Sequence, residues 1–156
     1  MTVKHTLGFV CALLLGSVLA TEAHPLAGTA ASSRQVSKQV TDSEAREVRF
    51  IERFYADCVF GELEDPHSVT ERSCTEKLRK RLRATYAAEY DGEGYAIWLF
   101  RSGAQDGPSD ESRVTSVIRL GKGLYRVEFI DMGIEGARTL KLVTRDGKLL
   151  FDEIGA

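Results

Sequence analysis

Histidine is scarce in this chain. Only His5, His24 and His67 occur, and none falls in a stretch with helical or strand periodicity. That leaves no Ser, His and Asp arrangement spaced as a nucleophilic triad, and no G-x-S-x-G motif is present. A phosphate-binding loop and a dinucleotide fingerprint are also missing. Cysteine is nearly as rare, with Cys11, Cys58 and Cys74. Cys58 and Cys74, with His24 and His67, show no ligand spacing for a metal set, so neither a metal nor a cofactor is expected. Charge of one sign is lacking too. Lys and Arg number 21 against 23 Asp and Glu, a formal net charge of −2. Nothing in that balance drives the chain towards nucleic acid or an anionic membrane. No internal repeat is visible.

The one long apolar run is Leu7–Ala20. A membrane span needs about 20 apolar residues, so this run is short. Lys4 precedes it, and small residues follow in Val18-Leu19-Ala20 and Thr21-Glu22-Ala23. This order reads as a cleavable secretory signal over residues 1–23, cut after Ala20 or Ala23. The expected location is therefore periplasmic or secreted, with no membrane span after cleavage. Phe9 and Val10 before Cys11 fit a lipidation site poorly, which argues against a lipoprotein. Cleavage removes Cys11 and leaves Cys58 and Cys74. In an oxidising compartment such a pair usually forms a disulfide, with two buried free thiols as the other reading. Closing that loop is worth about 3 kcal/mol in the chain-entropy model.

Residues 24–40 are small and polar and read as a flexible linker. Thr41-Asp42-Ser43-Glu44 fits a capping box that opens an amphipathic helix. Its apolar face carries Val48, Ile51, Phe54 or Tyr55, and Cys58, while Arg46, Arg49, Glu52 and Arg53 face water. An acidic connection over residues 62–70 follows. Ser73-Cys74-Thr75-Glu76 opens a second helix, with Leu78, Leu82 and Tyr86 inward. Beyond Asp91-Gly92-Glu93-Gly94 the period changes to two. The expected strands are residues 95–101, 113–120, 124–132, 137–145 and 148–154. Turns are expected at Gly121-Lys122-Gly123, Asp146-Gly147 and Gly133 to Gly136. Helices followed by hairpin-linked strands predict one α+β domain over residues 41–156, with helices packed on an antiparallel sheet.

Phe54-Tyr55, Ala104-Gln105-Asp106 and the closing Gly147-Lys148-Leu149-Leu150-Phe151-Asp152-Glu153-Ile154 are motifs in a familiar order. The chain resembles an uncharacterised family of small secreted bacterial domains in the nuclear transport factor 2-like superfamily. Leu149 stands where that family usually has Trp. The resemblance implies a cone, in which a strongly curved antiparallel sheet wraps the helices and leaves a pocket at the wide end. It also implies that Tyr55, Gln105, Asp106, Tyr125 and Asp131 could line that pocket. The superfold hosts isomerases, dehydratases and binding modules, so it does not fix a function.

Each candidate has a plainer reading. Asp106 can simply cap its turn-rich loop. Tyr55 and Tyr125 can be amphipathic core residues. The basic cluster Lys77, Arg79, Lys80, Arg81 and Arg83 can be a solvated face or a docking patch. Trp98 and Phe100 share one strand face, with Tyr95, Ile97 and Leu99 on the other. That two-sided apolar strand suggests an interface with a partner or a second copy, or a strand covered by its own domain. No catalytic residue is assigned. The expected function is a non-catalytic exported binding domain that recognises another envelope or secreted protein, an immunity protein being one special case. The competing expectation is a small-molecule pocket, with or without weak isomerase or hydratase chemistry.

Overall fold

The computed structural model describes residues 27–61, 65–103 and 106–156, and over residues 27–40 only their backbone. The signal segment, the start of the linker and Gln105 lie outside the described residues. Helix α1 runs from Ala27 to Phe54, followed by a π-helical turn at Tyr55–Val59. Helices α2 (Pro66–Ser73) and α3 (Glu76–Glu89) come next, then a 3₁₀ turn at Ile97–Phe100. The sheet closes the chain with β1 (Arg113–Gly121), β2 (Leu124–Asp131), β3 (Ile134–Arg145) and β4 (Lys148–Gly155). Its order is β1-β2-β3-β4, antiparallel throughout. The architecture is α+β, as expected. No helix among the described residues is long and apolar enough to cross a membrane.

Three local expectations change. Helix α1 begins at Ala27, so the Thr41 capping box lies inside a helix and much of the expected linker has helical backbone. From Ala30 to Val40 that stretch holds no Gly or Pro, and its Ala, Gln and Lys extend a helix readily once it is nucleated. The acidic connection contains α2. Asp65 caps it by accepting from the Ser68 amide at 3.0 Å, and Pro66 opens it. Proline suits a first helical position because the amide it lacks would go unused there.

The third correction concerns residues 95–101, which form no strand. Ile97–Phe100 is a 3₁₀ turn whose backbone bonds locally, Ile97 to Tyr95, Leu99 to Ala96 and Arg101 to Trp98. Its free carbonyls meet side chains. Arg138 donates to the Leu99 carbonyl at 2.9 Å, and Tyr55 to the Phe100 carbonyl at 3.0 Å. With those acceptors satisfied, the segment needs no neighbouring strand.

Strand β2 follows the expected alternation. Tyr125, Val127, Phe129 and Asp131 of β2 all point into the core. Two-residue turns join the strands at Lys122-Gly123, Met132-Gly133 and Asp146-Gly147, every residue having positive φ. That is the hairpin geometry matching the twist of the strands, and it moves the middle turn from Gly133–Gly136 back to Met132-Gly133. Register shifts at Val114/Ser116 and Lys141/Leu142 mark bulges, which bend a sheet. Ile51, Phe54 and Tyr55 pack with Leu78 and Leu82 against the buried face of β2, β3 and β4.

Thr75 ties α3 to the sheet. Its hydroxyl accepts from the Leu78 amide at 3.3 Å and donates to Asp152 at 2.9 Å. Its own amide donates to the Phe151 carbonyl at 2.8 Å. Thr75→Ala should cost about 1–2 kcal/mol in urea unfolding, while Thr75→Ser should cost little. Equal losses for both would show that the hydroxyl is not what matters.

Candidate functional site

The residues expected to line a pocket are part of the packed interior. Tyr55 and Tyr125 are fully buried. The Tyr55 hydroxyl donates to the Phe100 carbonyl, and its ring lies 5.7 Å from that of Phe129. The Tyr125 hydroxyl donates to Glu47 on α1. Burial pushes both phenols up, and for Tyr125 the bond to Glu47 adds to it. Asp131 is fully buried and accepts four hydrogen bonds, from Arg101 at 3.0 and 2.6 Å and from Ser102 at 3.1 and 2.7 Å. Burial alone would raise its carboxyl, but these donors more than reverse that and hold it below the usual range. A general base needs the opposite shift. Asp106 is exposed on its loop. The structure therefore holds Tyr55, Tyr125 and Asp131 on separate partners rather than gathering them around one space.

Phe100 is fully buried, between the rings of Phe54 and Phe151 at 4.9 and 5.6 Å. It cannot be an interface residue. Trp98 is half-buried and forms a surface trio with Tyr86 and Tyr90, at 5.8 and 5.4 Å. Tyr90 is exposed. Trp98 thus keeps a face that a partner can reach.

The basic cluster on α3 is largely engaged within the fold. Lys77 pairs with Asp152 and Glu153, and Arg79 with Glu76. Arg81 donates to the Ile154 carbonyl at 2.8 Å. Arg83 pairs with Glu71 and bonds the Tyr95 hydroxyl.

Cys58 and Cys74 are buried free thiols in this structure. Burial pushes Cys58 up, and pushes Cys74 up to about 12 with the neighbouring Cys58 adding to it. Thiols shifted this way are poor nucleophiles. Among the described residues no group of three or more His, Cys, Asp and Glu is placed to hold a metal.

The large concavity lies elsewhere. An open groove of about 1290 Å³ runs between α1, the α2–α3 junction and the β3–β4 hairpin. Phe50, Phe54, Val69, Leu149 and Leu150 supply its apolar surface. Seven cations line it against four carboxylates. Three of those carboxylates are already paired, Asp57 with Arg53, Glu76 with Arg79 and Glu71 with Arg83. Arg46, Arg49, Arg72, Arg145 and Lys148 have no ion pair among the described residues, and all five are exposed. The buried Arg79 Nε, also on this wall, has no hydrogen-bond partner among the described residues. The sequence signalled the α1 part of this site only as a polar helix face. The rest comes from segments far apart along the chain.

No protein-family model matches the chain, and no curated protein matches it in sequence. Its fold is similar to the crystal structure of a protein of unknown function from Bacteroides thetaiotaomicron, with a TM-score of 0.55 and 22% identity, over 78% of this chain and 99% of that one.

Proposed function

We propose that this chain is a non-catalytic binding domain, exported to the periplasm or beyond, that recognises another protein. The observation carrying this reading is the contrast between its two kinds of polar group. The interior groups suited to chemistry are engaged by the fold, and Arg101 and Ser102 hold the buried Asp131 carboxyl below its usual range. Five exposed cations with no ion pair among the described residues, Arg46, Arg49, Arg72, Arg145 and Lys148, line an open surface groove instead. A small-molecule reading fits less well, because Tyr55, Tyr125 and Asp131, expected to line an interior pocket, have no exposed surface, and Asp106 is out on its loop. Helices followed by a four-stranded meander accord with a nuclear transport factor 2-like cone, and we place the domain in that superfamily as part of the same proposal. An immunity protein shielding its host from an exported toxin is one form the function can take.

The test is affinity capture from an envelope fraction with wild type, Trp98→Asp and the double variant Arg46→Glu/Arg49→Glu. One surface variant should lose a specific partner while keeping the wild-type unfolding midpoint. Identical recoveries from all three would count against protein recognition at either surface. Self-association is a second reading, because β1 is an edge strand with Ile118 42% and Leu120 52% exposed. Sedimentation at rising concentration separates the two.

Export carries its own prediction. Protein recovered from an oxidising compartment should begin near Thr21 or His24, and denatured without reductant it should show almost no free thiol. Labelling of both cysteines would refute the bridge.

A further inference from the structure

We infer that the groove between α1 and the β3–β4 hairpin takes an extended acidic segment of the partner protein, with acidic and apolar side chains in alternation. The inference rests on the protein-binding reading and gives its site and chemistry.

Charge complementarity is the first argument. The whole chain is slightly acidic, with a net charge of −2, yet this groove is cationic. Arg46 and Arg49 stand three residues apart on one face of α1, and Arg145 and Lys148 flank the Asp146-Gly147 turn opposite. Arg72 closes the α2 side. Glu52 is the one lining carboxylate without an ion pair among the described residues. Arginine forks grip carboxylates with two parallel hydrogen bonds, and a concave low-dielectric wall strengthens the field they feel. A partner bearing Asp or Glu is the complement.

The floor gives the second argument. Phe50 is half-buried and stacks on Phe151 at 5.0 Å, with the half-buried Leu149 and Leu150 nearby. A purely polar anion would leave this surface wet, so the partner must also bring apolar side chains. The edge of the sheet supplies the third. β4 is an edge strand, and among the described residues its outer side carries a single parallel bridge, Cys74 to Phe151, the Thr75 amide on the Phe151 carbonyl and, further along, Arg81 on the Ile154 carbonyl. From Phe151 back to Lys148 that edge pairs with no strand among the described residues, and it borders the groove. An incoming strand can continue the pairing that Cys74 begins, as edge-adding peptides do. Period two then puts its acidic side chains at the rim and its apolar ones on the floor.

The test uses a short-peptide library panned against the whole chain, with hits measured by fluorescence anisotropy. Enriched peptides should be acidic with alternating Leu, Ile, Val or Phe. Their affinity should fall with added salt. It should drop at least about tenfold for Arg46→Glu/Arg49→Glu and for Arg145→Glu/Lys148→Glu, given what two reversed surface charges are worth. Arg126→Glu, exposed and outside the groove, should bind as wild type does. If a reversal variant does not fold, Arg46→Gln/Arg49→Gln replaces it, and a smaller salt dependence is the expected result. Enrichment of basic or neutral peptides overturns the inference. So does full affinity in the groove variants, or equal binding of an Asp and Glu peptide without apolar residues. If the groove fails but a partner is lost on Trp98→Asp, the binding reading survives and only this site falls. No partner dependent on either surface removes both.

Discussion

Phe151→Ala should cost about 3–5 kcal/mol, the range for emptying a fully buried aromatic position. Phe151 has no exposed surface, and its ring lies 4.7 Å from Phe54, 5.0 Å from Phe50 and 5.6 Å from Phe100. Those neighbours come from α1 and the 3₁₀ turn, while Phe151 itself is on β4. Its backbone carries the bridge to Cys74 as well. One residue therefore joins the helices, the turn and the last strand. A domain of this kind has about 5–15 kcal/mol of total stability, so the variant should be close to unfolding at growth temperature. Urea unfolding followed by Trp98 fluorescence measures it, since Trp98 is the single tryptophan and packs against two tyrosines. Phe151→Leu should retain most of the stability. A loss below about 1 kcal/mol for the alanine variant would mean the ring cluster is not central to the fold.

Asp131→Ala should cost about 3 kcal/mol, near the lower end for breaking a buried ion pair. The lower end applies because the Arg101 side chain is 31% exposed and can turn to water once its partner is gone. The Ser102 amide loses its acceptor as well. Asp131→Asn keeps the shape and removes the charge, so its loss should be smaller. The pH dependence identifies the cause. The folded-state carboxyl is held below its ordinary value. A depressed carboxyl contributes stability that is present above the unfolded pKa, about 3.9 for Asp, and is lost as pH falls through the lower folded value. Wild type should therefore lose stability on acidification below about pH 4 more steeply than Asp131→Asn. Parallel acid limbs for the two would show that Asp131 is not a depressed carboxylate. Neither result bears on catalysis, which is consistent with Asp131 holding the β2 end to the segment after the 3₁₀ turn.

The groove was hidden in the sequence for a physical reason. Arg46 and Arg49 read as a solvated helix face, which is how an amphipathic pattern presents any outward cation. Arg145 and Lys148 read as hairpin-turn flanks. Periodicity reports which residues share a face of one element, not which faces of different elements meet. The cluster from Lys77 to Arg83 reads as a solvated face or a docking patch for the same reason. Its partners, Asp152, Glu153 and the Ile154 carbonyl, lie far along the chain on β4, so only folding reveals that these cations are engaged.

What the sequence by itself determined is the alternation of β2, two of the three hairpin turns, and the inward faces of α1 and α3. These are local properties, fixed by period and by residues that tolerate positive φ. It also carried the secretory pattern at Met1–Ala23 as an expectation. The tertiary structure decided the rest. Ile97–Phe100, apolar and rich in strand formers, became a 3₁₀ turn because Arg138 and Tyr55 reach its carbonyls from β3 and from the turn after α1. Tyr55, Tyr125 and Asp131, chemically plausible one at a time, became structural because each was buried against its own partner. The unpaired cations became a groove because α1, the α2–α3 junction and the β3–β4 hairpin come together there, and that meeting depends on long-range packing no local pattern encodes.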